Sequence, residues 1–326
     1  MKILISGGAG FIGYHLACKF IDEKHKVTLI DNLNKTGIDL DLENLLKNKN
    51  IKLVKLDLDK QNSFLKLNND YEVVIHLAAI LGVQNVINQS FNVLDLNIKM
   101  LSNILEFSKK QKKLYKFLFA STSEVYAGTL AKSSLEIPTP EDSNIVLPDL
   151  NMPRTSYMLS KIYGEAMCLA SDLPSIIIRP HNIYGPRMGS SHVIPQIISR
   201  VFSTKKGKDL GVYSPSHTRV FCFIDDAVSL IYKLIFNYNQ KYLTINLGNS
   251  DPEINMKNLA KKILKIMGRE DIKLIDLPNT EGSPLRRVPK VDNLDQITGG
   301  KNRVGIDEGL SKTINWYLKN LEAEKK

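Results

Sequence analysis

Met1-Lys-Ile-Leu-Ile-Ser-Gly7-Gly-Ala-Gly10-Phe11-Ile12-Gly13 opens with an apolar run, Ile3 to Ile5, that empties into three glycines spaced G-x-x-G-x-x-G. A helical pattern follows from Phe11 to Glu23. Strand, glycine turn and helix in that order suit a pyrophosphate. The glycines permit a tight turn and close backbone approach, and the helix N-terminus offers free N–H groups. The next apolar run, Lys26 to Ile30, ends in Asp31, 18 residues beyond Gly13. A carboxylate there accepts hydrogen bonds from an adenosine ribose and repels a 2′-phosphate. The stretch predicts a dinucleotide site that favours NAD over NADP.

Outward from this unit the pattern repeats. Strands are predicted at Ile51 to Leu58, Glu72 to Ala79, Lys116 to Ala120 and Ser175 to Ile178, and helices at Val93 to Lys110 and from Tyr157 onward. The Glu72 run is almost continuously apolar, as a parallel strand buried on both faces requires. Alternation of this kind predicts an α/β Rossmann-type doubly wound parallel sheet over residues 1–178, with ligands beyond the carboxyl ends of its strands. A long polar loop, Ala127 to Thr155, separates the fifth strand from the Tyr157 helix. Beyond Arg179 the alternation loosens. Short β runs (Arg219 to Ile224, Thr244 to Leu247, Ile272 to Leu277) mix with helices at Asp225 to Phe236, Met256 to Met267 and Asp307 to Asn320. Asp225 is the expected N-cap of the first of these. This part, residues 179–326, reads as a smaller, discontinuous substrate-binding lobe with some segments returning to the sheet.

The 326 residues suffice for a substantial core, and 43% hydrophobic with 24% charged content is ordinary for a globular protein. The formal net charge of +10 attracts anions, but the basic residues are scattered, with no block of five or six, so nucleic acid is not an expected partner. Cys18, Cys168 and Cys222 are too few and too widely spaced for a disulfide framework or a metal cluster. A glycine turn this close to Met1 leaves no room for a signal peptide, and no apolar run approaches the ~18 residues of a membrane span. The expectation is a cytoplasmic protein without bound metal.

In Ser156-Tyr157-Met-Leu-Ser-Lys161 the tyrosine and lysine are four apart, on one face of a helix. A phenol with an ordinary pKa near ~10 needs a nearby cation to act as a base at neutral pH. Taken in order, Gly7-x-x-Gly10-x-x-Gly13, Asp31, Asp57-Leu58, His76-Leu-Ala-Ala79, Ser121-Thr122-Ser123-Glu124-Val125-Tyr126, Tyr157-x-x-x-Lys161 and Arg179-Pro-His-Asn-Ile-Tyr-Gly-Pro-Arg187 resemble the extended short-chain dehydrogenase/reductases that modify nucleotide sugars. The resemblance runs from Met1 to about Tyr317. It implies a tightly held NAD, a nucleotide-diphosphate sugar as substrate, and transient oxidation of that sugar, usually at C4. Tyr157 would take the hydroxyl proton, Lys161 would lower its pKa and bind the nicotinamide ribose, and Thr122 would hold the sugar hydroxyl.

The resemblance also implies individual contacts. The cofactor would meet Gly7, Gly10, Phe11, Ile12, Gly13, Asp31 and Asn32 at its phosphate and ribose, Asp57 and Leu58 at adenine, and Ala78, Ala79 and Asn97 near the active site. Ser123, Asn182, Arg219 and Arg287 would meet the substrate. His181 stands where Phe is commoner and is read as packing. The Gly-Asp-Gly that often precedes the Arg219 position is replaced by Tyr213-Ser-Pro-Ser216, which puts the local loop geometry in question. Related enzymes commonly form homodimers through the helices at Val93–Lys110 and Tyr157, with Leu94, Leu101, Leu105, Met158 and Ile162 as the expected contacts.

The subreaction stays open between three. Simple 4-epimerases carry small residues after the active-site Ser/Thr, where this chain has Ser123-Glu124. Dehydratases of the dTDP-glucose type carry Asp-Glu, and Ser123 is a poor substitute for that acid. UDP-glucuronic acid decarboxylases carry Ser-Thr-Ser-Glu-Val-Tyr and a Pro-Arg ahead of the tyrosine, matching Ser121–Tyr126 and Pro153-Arg154. Decarboxylation is therefore the leading reading, with Glu124 acting on the substrate carboxylate. A non-catalytic NAD-binding sensor is the alternative outside enzymes.

Overall fold

A computed structural model describes residues 1–35, 37–132, 135–152, 154–280, 282–300 and 303–323; Pro153 of the Pro-Arg pair lies outside them. Seven strands form the central sheet: β1 (Lys2–Ser6), β2 (Lys26–Asp31), β3 (Ile51–Lys55), β4 (Val73–His76), β5 (Lys116–Ala120), β6 (Ser175–Pro180) and β7 (Tyr242–Leu247). Their order is β7-β6-β5-β4-β1-β2-β3, and every pairing is parallel. The sequence order reverses at β1, and the glycine turn leaves the carboxyl end of that strand. A reversal of this kind is where doubly wound sheets form a crevice and bind their ligands.

Side chains alternate across the sheet with period two. Ile3, Ile5, Leu118, Ile176 and Ile178 enter one core, while Leu4, Phe117, Phe119 and Ile177 enter the other. Helix α1 (Phe11–Asp22) covers the first face with Leu16, Ala17 and Phe20. Helices α2 (Ser90–Lys109) and α3 (Thr155–Ala170) cover the second, with Leu101, Ile104 and Cys168. Burial on both faces explains why β4 and β5 read as unbroken apolar runs.

Residues beyond β6 also form small sheets. Leu210–Tyr213 pairs in parallel with Leu274–Leu277. Thr218–Val220 lies between Glu253–Asn255, antiparallel to it, and Arg286–Arg287, parallel to it. Strand β7, although late in the chain, returns to the main sheet beside β6.

Several expectations need correction. The third strand ends at Lys55, so Asp57 and Leu58 follow it in a turn. The fourth is only Val73–His76. The run Arg219 to Ile224 divides into Thr218–Val220 and Cys222–Phe223. The polar loop contains a helix, Ala127–Lys132. Phe223, not Asp225, occupies the N-cap of Ile224–Asn237; Asp225 sits in its first turn, where a carboxylate still meets the positive end of the helix dipole. Where a glycine was missed before Arg219, Ser214 itself takes φ +50 and is tied down from both sides: its N–H donates to Pro278 O and its Oγ accepts from Thr280 N.

Candidate active site

The glycine turn is shaped by close approach. Gly7 has φ +69, and a Cβ there would lie 2.8 Å from Ala78 N. A Cβ at Gly13 would lie 2.4 Å from Gly7 O. Gly10 is the N-cap of α1 and supplies no side-chain cap, and the first turn has no acidic residue, so the N–H groups at Phe11 and Ile12 face an open cradle. Asp31 accepts from Ala9 N (3.1 Å) through one oxygen and from Leu33 N (2.9 Å) through the other. Each oxygen keeps a lone pair for a ribose hydroxyl. Asn32 accepts from Asn34 N (3.1 Å), which shapes the same turn. Asp57 pairs loosely with Lys60, and buried Leu58 offers its carbonyl to Asn103. These residues fit a dinucleotide along the strand ends. Asn97 is buried and spends its amide on Ile80 N (2.8 Å), Ile80 O (3.1 Å) and Ser160 Oγ (3.2 Å), joining the end of β4, next to Ala78 and Ala79, to the Tyr157 helix.

Beyond β5 the chain turns at Thr122, whose Oγ1 accepts from Glu124 N (3.2 Å) and caps the short 3-10 turn Ser123–Tyr126. Tyr157 and Lys161 project from α3. Burial pushes the Tyr157 phenol up to about 12; the Thr122 hydroxyl beside it pulls the other way and the Glu124 carboxylate adds to the rise. Lys161 was expected to lower that value. Instead its ammonium donates to Ala120 O (2.7 Å), lies 4.8 Å from the Phe119 ring centroid and 5.8 Å from that of Tyr157, and burial lowers its own pKa to about 8. The ammonium is anchored to the carbonyl at the strand end.

Glu124 is the electrostatic centre of the site. Its Oε1 accepts from Arg287 NH2 (2.9 Å), and Arg154 NH2 stands 3.8 Å from Oε2. Arg287, then Arg154 and Arg219, hold its carboxyl below the usual carboxylate range against the opposing effect of burial. Arg287 and Arg219 are direct neighbours in the parallel ladder. Like charges so placed repel. The repulsion appears at Arg219, whose pKa falls to about 10 through burial and Arg287 while Glu124 opposes the fall. Arg219 is held by Thr218 O (2.6 Å) and Ser283 Oγ (3.0 Å). Ser123 Oγ lies 3.5 Å from Arg287 NH1. Three arginines against one glutamate leave a local excess of positive charge suited to an anionic substrate. Asn182, at φ +45, donates to Val220 O (2.9 Å) and so ties its loop to the Arg219 strand.

Two partners escaped the sequence reading. Arg154 entered only as half of a motif, yet it sits at the N-cap of α3, one turn before Tyr157. His181 was read as packing, but its Nε2 bonds Asn246 Oδ1 (3.1 Å), and burial lowers its pKa to about 3, so the ring is neutral. No local spacing connects residues 181 and 246. Among the described residues no group of three His, Cys, Asp or Glu is placed to hold a metal ion, and no helix is long and apolar enough to cross a membrane.

Residues 3–248 match the model of the NAD dependent epimerase/dehydratase family. A UDP-N-acetyl-alpha-D-glucosaminuronate decarboxylase of Bacillus cytotoxicus is 34% identical, over 97% of this chain and 97% of its own length. A UDP-glucuronic acid decarboxylase of Xenopus tropicalis is 30% identical, over 98% of this chain and 73% of its own. The fold is shared with a UDP-glucuronic acid 4-epimerase from Bacillus cereus solved with UDP-glucuronic acid and NAD, at 25% identity, TM-score 0.81, and 98% and 100% coverage of the two chains. With its glycine turn, Asp31 and seven-strand sheet, the chain belongs to the NAD dependent epimerase/dehydratase family and is an NAD-dependent enzyme.

Proposed function

We propose that the chain oxidises the sugar of a nucleotide-diphosphate uronate at C4 and then releases its carboxylate as carbon dioxide. The observation that carries this reading is the Glu124–Arg287 pair at 2.9 Å, two residues past Thr122, with Arg154 and Arg219 around it. Inverting C4 alone calls for no carboxylate there, whereas a uronate brings an anion that the arginines attract. The decarboxylase relatives act on uronates by name, one of them an N-acetylated uronate.

NAD, when bound, supplies the acceptor for hydride from the sugar. Gly7, Gly10, Phe11, Ile12 and Gly13 would cradle its phosphates, Asp31 and Asn32 its ribose, and Asp57, Leu58, Ala78 and Ala79 the strand-end walls, with Asn97 behind them. Thr122 orients the sugar hydroxyl and Tyr157 takes its proton. With the phenol at about 12, catalysis at neutral pH requires further positive charge near it, and Lys161 is the side chain one turn away that supplies it. Once C4 is a ketone the uronate is a β-keto acid. The bond to the carboxylate breaks, carbon dioxide leaves, and the electron pair flows into the ketone oxygen. Glu124 enters this stage ionised. It therefore serves as an acceptor and a like charge beside the substrate carboxylate, while Arg287, Arg219, Asn182 and Ser123 hold the substrate.

The test is a single-turnover reaction with UDP-glucuronate and its N-acetylated analogue, following cofactor absorbance and product mass together. Loss of one carbon dioxide is expected, accompanied by loss of two hydrogens when the keto product leaves before hydride returns to C4. Inversion without mass change, or loss of water, would overturn the reading. Tyr157→Phe should slow hydride transfer by about 10²–10⁴-fold. Glu124→Gln should leave hydride transfer largely intact and delay carbon dioxide, so that a keto sugar retaining its carboxylate accumulates. If Glu124→Gln abolishes cofactor reduction as fully as Tyr157→Phe, the two stages are not separate.

We also infer a homodimer through α2 and α3. Leu101, Leu105 and Met158, three of the expected contacts, are instead buried within the protomer, because α2 and α3 pack on each other and on the sheet. Leu94 and Ile162, the other two expected contacts, stay half-buried, and exposed Phe91, Tyr163 and Leu169 add to the apolar side chains left to meet a partner.

A further inference from the structure

Asn246, at the carboxyl end of β7, is fully buried, and the catalytic scheme makes no use of it. Its side chain is saturated. Oδ1 accepts from Tyr126 OH (2.9 Å) and from His181 Nε2 (3.1 Å), while Nδ2 donates to Thr139 O (2.9 Å) and Lys290 O (3.2 Å). Its backbone N–H donates to Glu141 Oε1 (3.0 Å). Because both amide hydrogens are spent on carbonyls, the oxygen is the acceptor. His181 must therefore present Nε2–H.

The four partners belong to four segments that converge on the site. Tyr126 closes the turn that carries Ser123 and Glu124. His181 precedes Asn182. Lys290 lies three residues past Arg287. Thr139 is laddered to that same stretch, through Thr139 N to Val288 O (2.8 Å) and Lys290 N to Thr139 O (2.8 Å). One amide thus joins the Glu124 segment directly to the Arg287 segment. Carboxamide chemistry is needed for this: a carboxylate of the same shape has no donor for the two carbonyls, and an aliphatic side chain has neither donor nor acceptor. Leaving buried partners unpaired is costly enough to move them.

The near end of the Thr122 loop is held separately. Ser121 bonds Glu165, which pairs with Arg179 through Nε (2.9 Å) and NH2 (2.7 Å). Arg179 NH1 also reaches Tyr126 OH (2.7 Å). Tyr126 thus keeps its Arg179 bond when the Asn246 amide is lost, but the tie from the Glu124 segment to the Arg287 segment goes with the amide, whereas the Ser121–Glu165–Arg179 contacts at the Thr122 end do not involve it.

We propose that Asn246 is a positioning residue that sets Glu124 against Arg287, and through them governs the step after sugar oxidation. The proposal rests on the staged decarboxylation above. Its test compares wild type, Asn246→Leu and Tyr126→Phe, each holding NAD, in single turnovers with UDP-glucuronate and its N-acetylated analogue. Cofactor absorbance, carbon dioxide, substrate KM and Tm are recorded. Misplacement on the ångström scale costs up to about 10²-fold in rate. Asn246→Leu is expected to slow carbon dioxide release by that order, with cofactor reduction and KM changed little. Tyr126→Phe removes two hydrogen bonds, the one donated to Asn246 Oδ1 and the one accepted from Arg179 NH1, with almost no change of shape, and should show a smaller loss at the same stage.

Wild type that reduces its cofactor without releasing carbon dioxide would defeat the staged reading itself. Given a staged wild type, carbon dioxide release at the wild-type rate in both variants would overturn the role of Asn246. So would equal slowing of both stages in step with a fall in Tm. Should Asn246→Leu not fold, the two-stage comparison in Tyr126→Phe decides alone.

Discussion

Asp31 places one carboxylate at the mouth of the cradle, with its two oxygens oriented by Ala9 N and Leu33 N. A 2′-phosphate would meet it as a like charge, worth about 1–4 kcal/mol at contact between water and protein-surface dielectric. Lys35 lies in the field of that carboxylate and softens the rejection. Wild type should bind NADP at least roughly 10-fold more weakly than NAD, and Asp31→Asn should narrow the gap. Equal binding of the two dinucleotides by wild type, in a titration of cofactor-stripped protein, would sink this. Lys161 offers a second prediction. Its folded-state pKa of about 8 lies below the ~10.4 of an exposed lysine. Between those values the unfolded chain binds more protons, so this group makes stability rise with pH; below pH 8 its burial cost is felt in full. Wild-type stability relative to Lys161→Met should grow by about 3 kcal/mol at most from pH 7 to 10. Denaturant unfolding at both pH values checks it, and a flat difference would refute it. At this scale Thr122, Glu124, Tyr157, Lys161, Arg219 and Arg287 stand out in the sequence as candidates because side-chain type and order mark them. Asn246 does not, because its partners lie at residues 126, 139, 181 and 290.

Among elements, long periodic segments were legible and short ones were not. Helix Ala127–Lys132 is six residues within a polar stretch, too brief to show a period. It exists through tertiary contact. Thr129 Oγ1 donates to Asn144 O (2.5 Å) and accepts from Val146 N (3.1 Å), and Gly128 lets the following loop press against the helix. A Cβ at Gly128 would lie 1.8 Å from Val146 O, which is backbone and cannot swing aside. Gly128→Ala should cost about 1–3 kcal/mol, the usual range for overpacking, seen as a lowered denaturant midpoint. A variant as stable as wild type would mean that the 146–148 stretch yields freely. The turn at Ser214 shows a related limit. Its positive φ is imposed by hydrogen bonds to residues 278–280 that no reading of residues 213–216 contains.

For the whole molecule, the parallel sheet was legible from alternation alone, since strands buried on both faces announce themselves as apolar runs. Which apolar residues stay outside was not. Leu101, Leu105 and Met158 look the same in sequence as Phe91, yet Phe91 is 77% exposed and Met158 is 3% exposed. The proposed dimer therefore turns on Phe91. Light scattering at micromolar concentration should give twice the chain mass for wild type, and Phe91→Asp should shift it toward the monomer. A monomeric wild type would reject the assembly. Strand β7 has a different consequence, for synthesis on the ribosome. β6 ends at Pro180 and its neighbour ends at Leu247, 67 residues later. At roughly 5–20 residues per second the nascent chain carries an open β6 edge for roughly 3–13 s. During that interval the edge is a template for wrong pairing and a target for chaperones. Chains arrested near residue 240 should be cut within β6 by added protease, and chains arrested past residue 290 should resist. Equal resistance at both lengths would show that the growing sheet closes without its last strand.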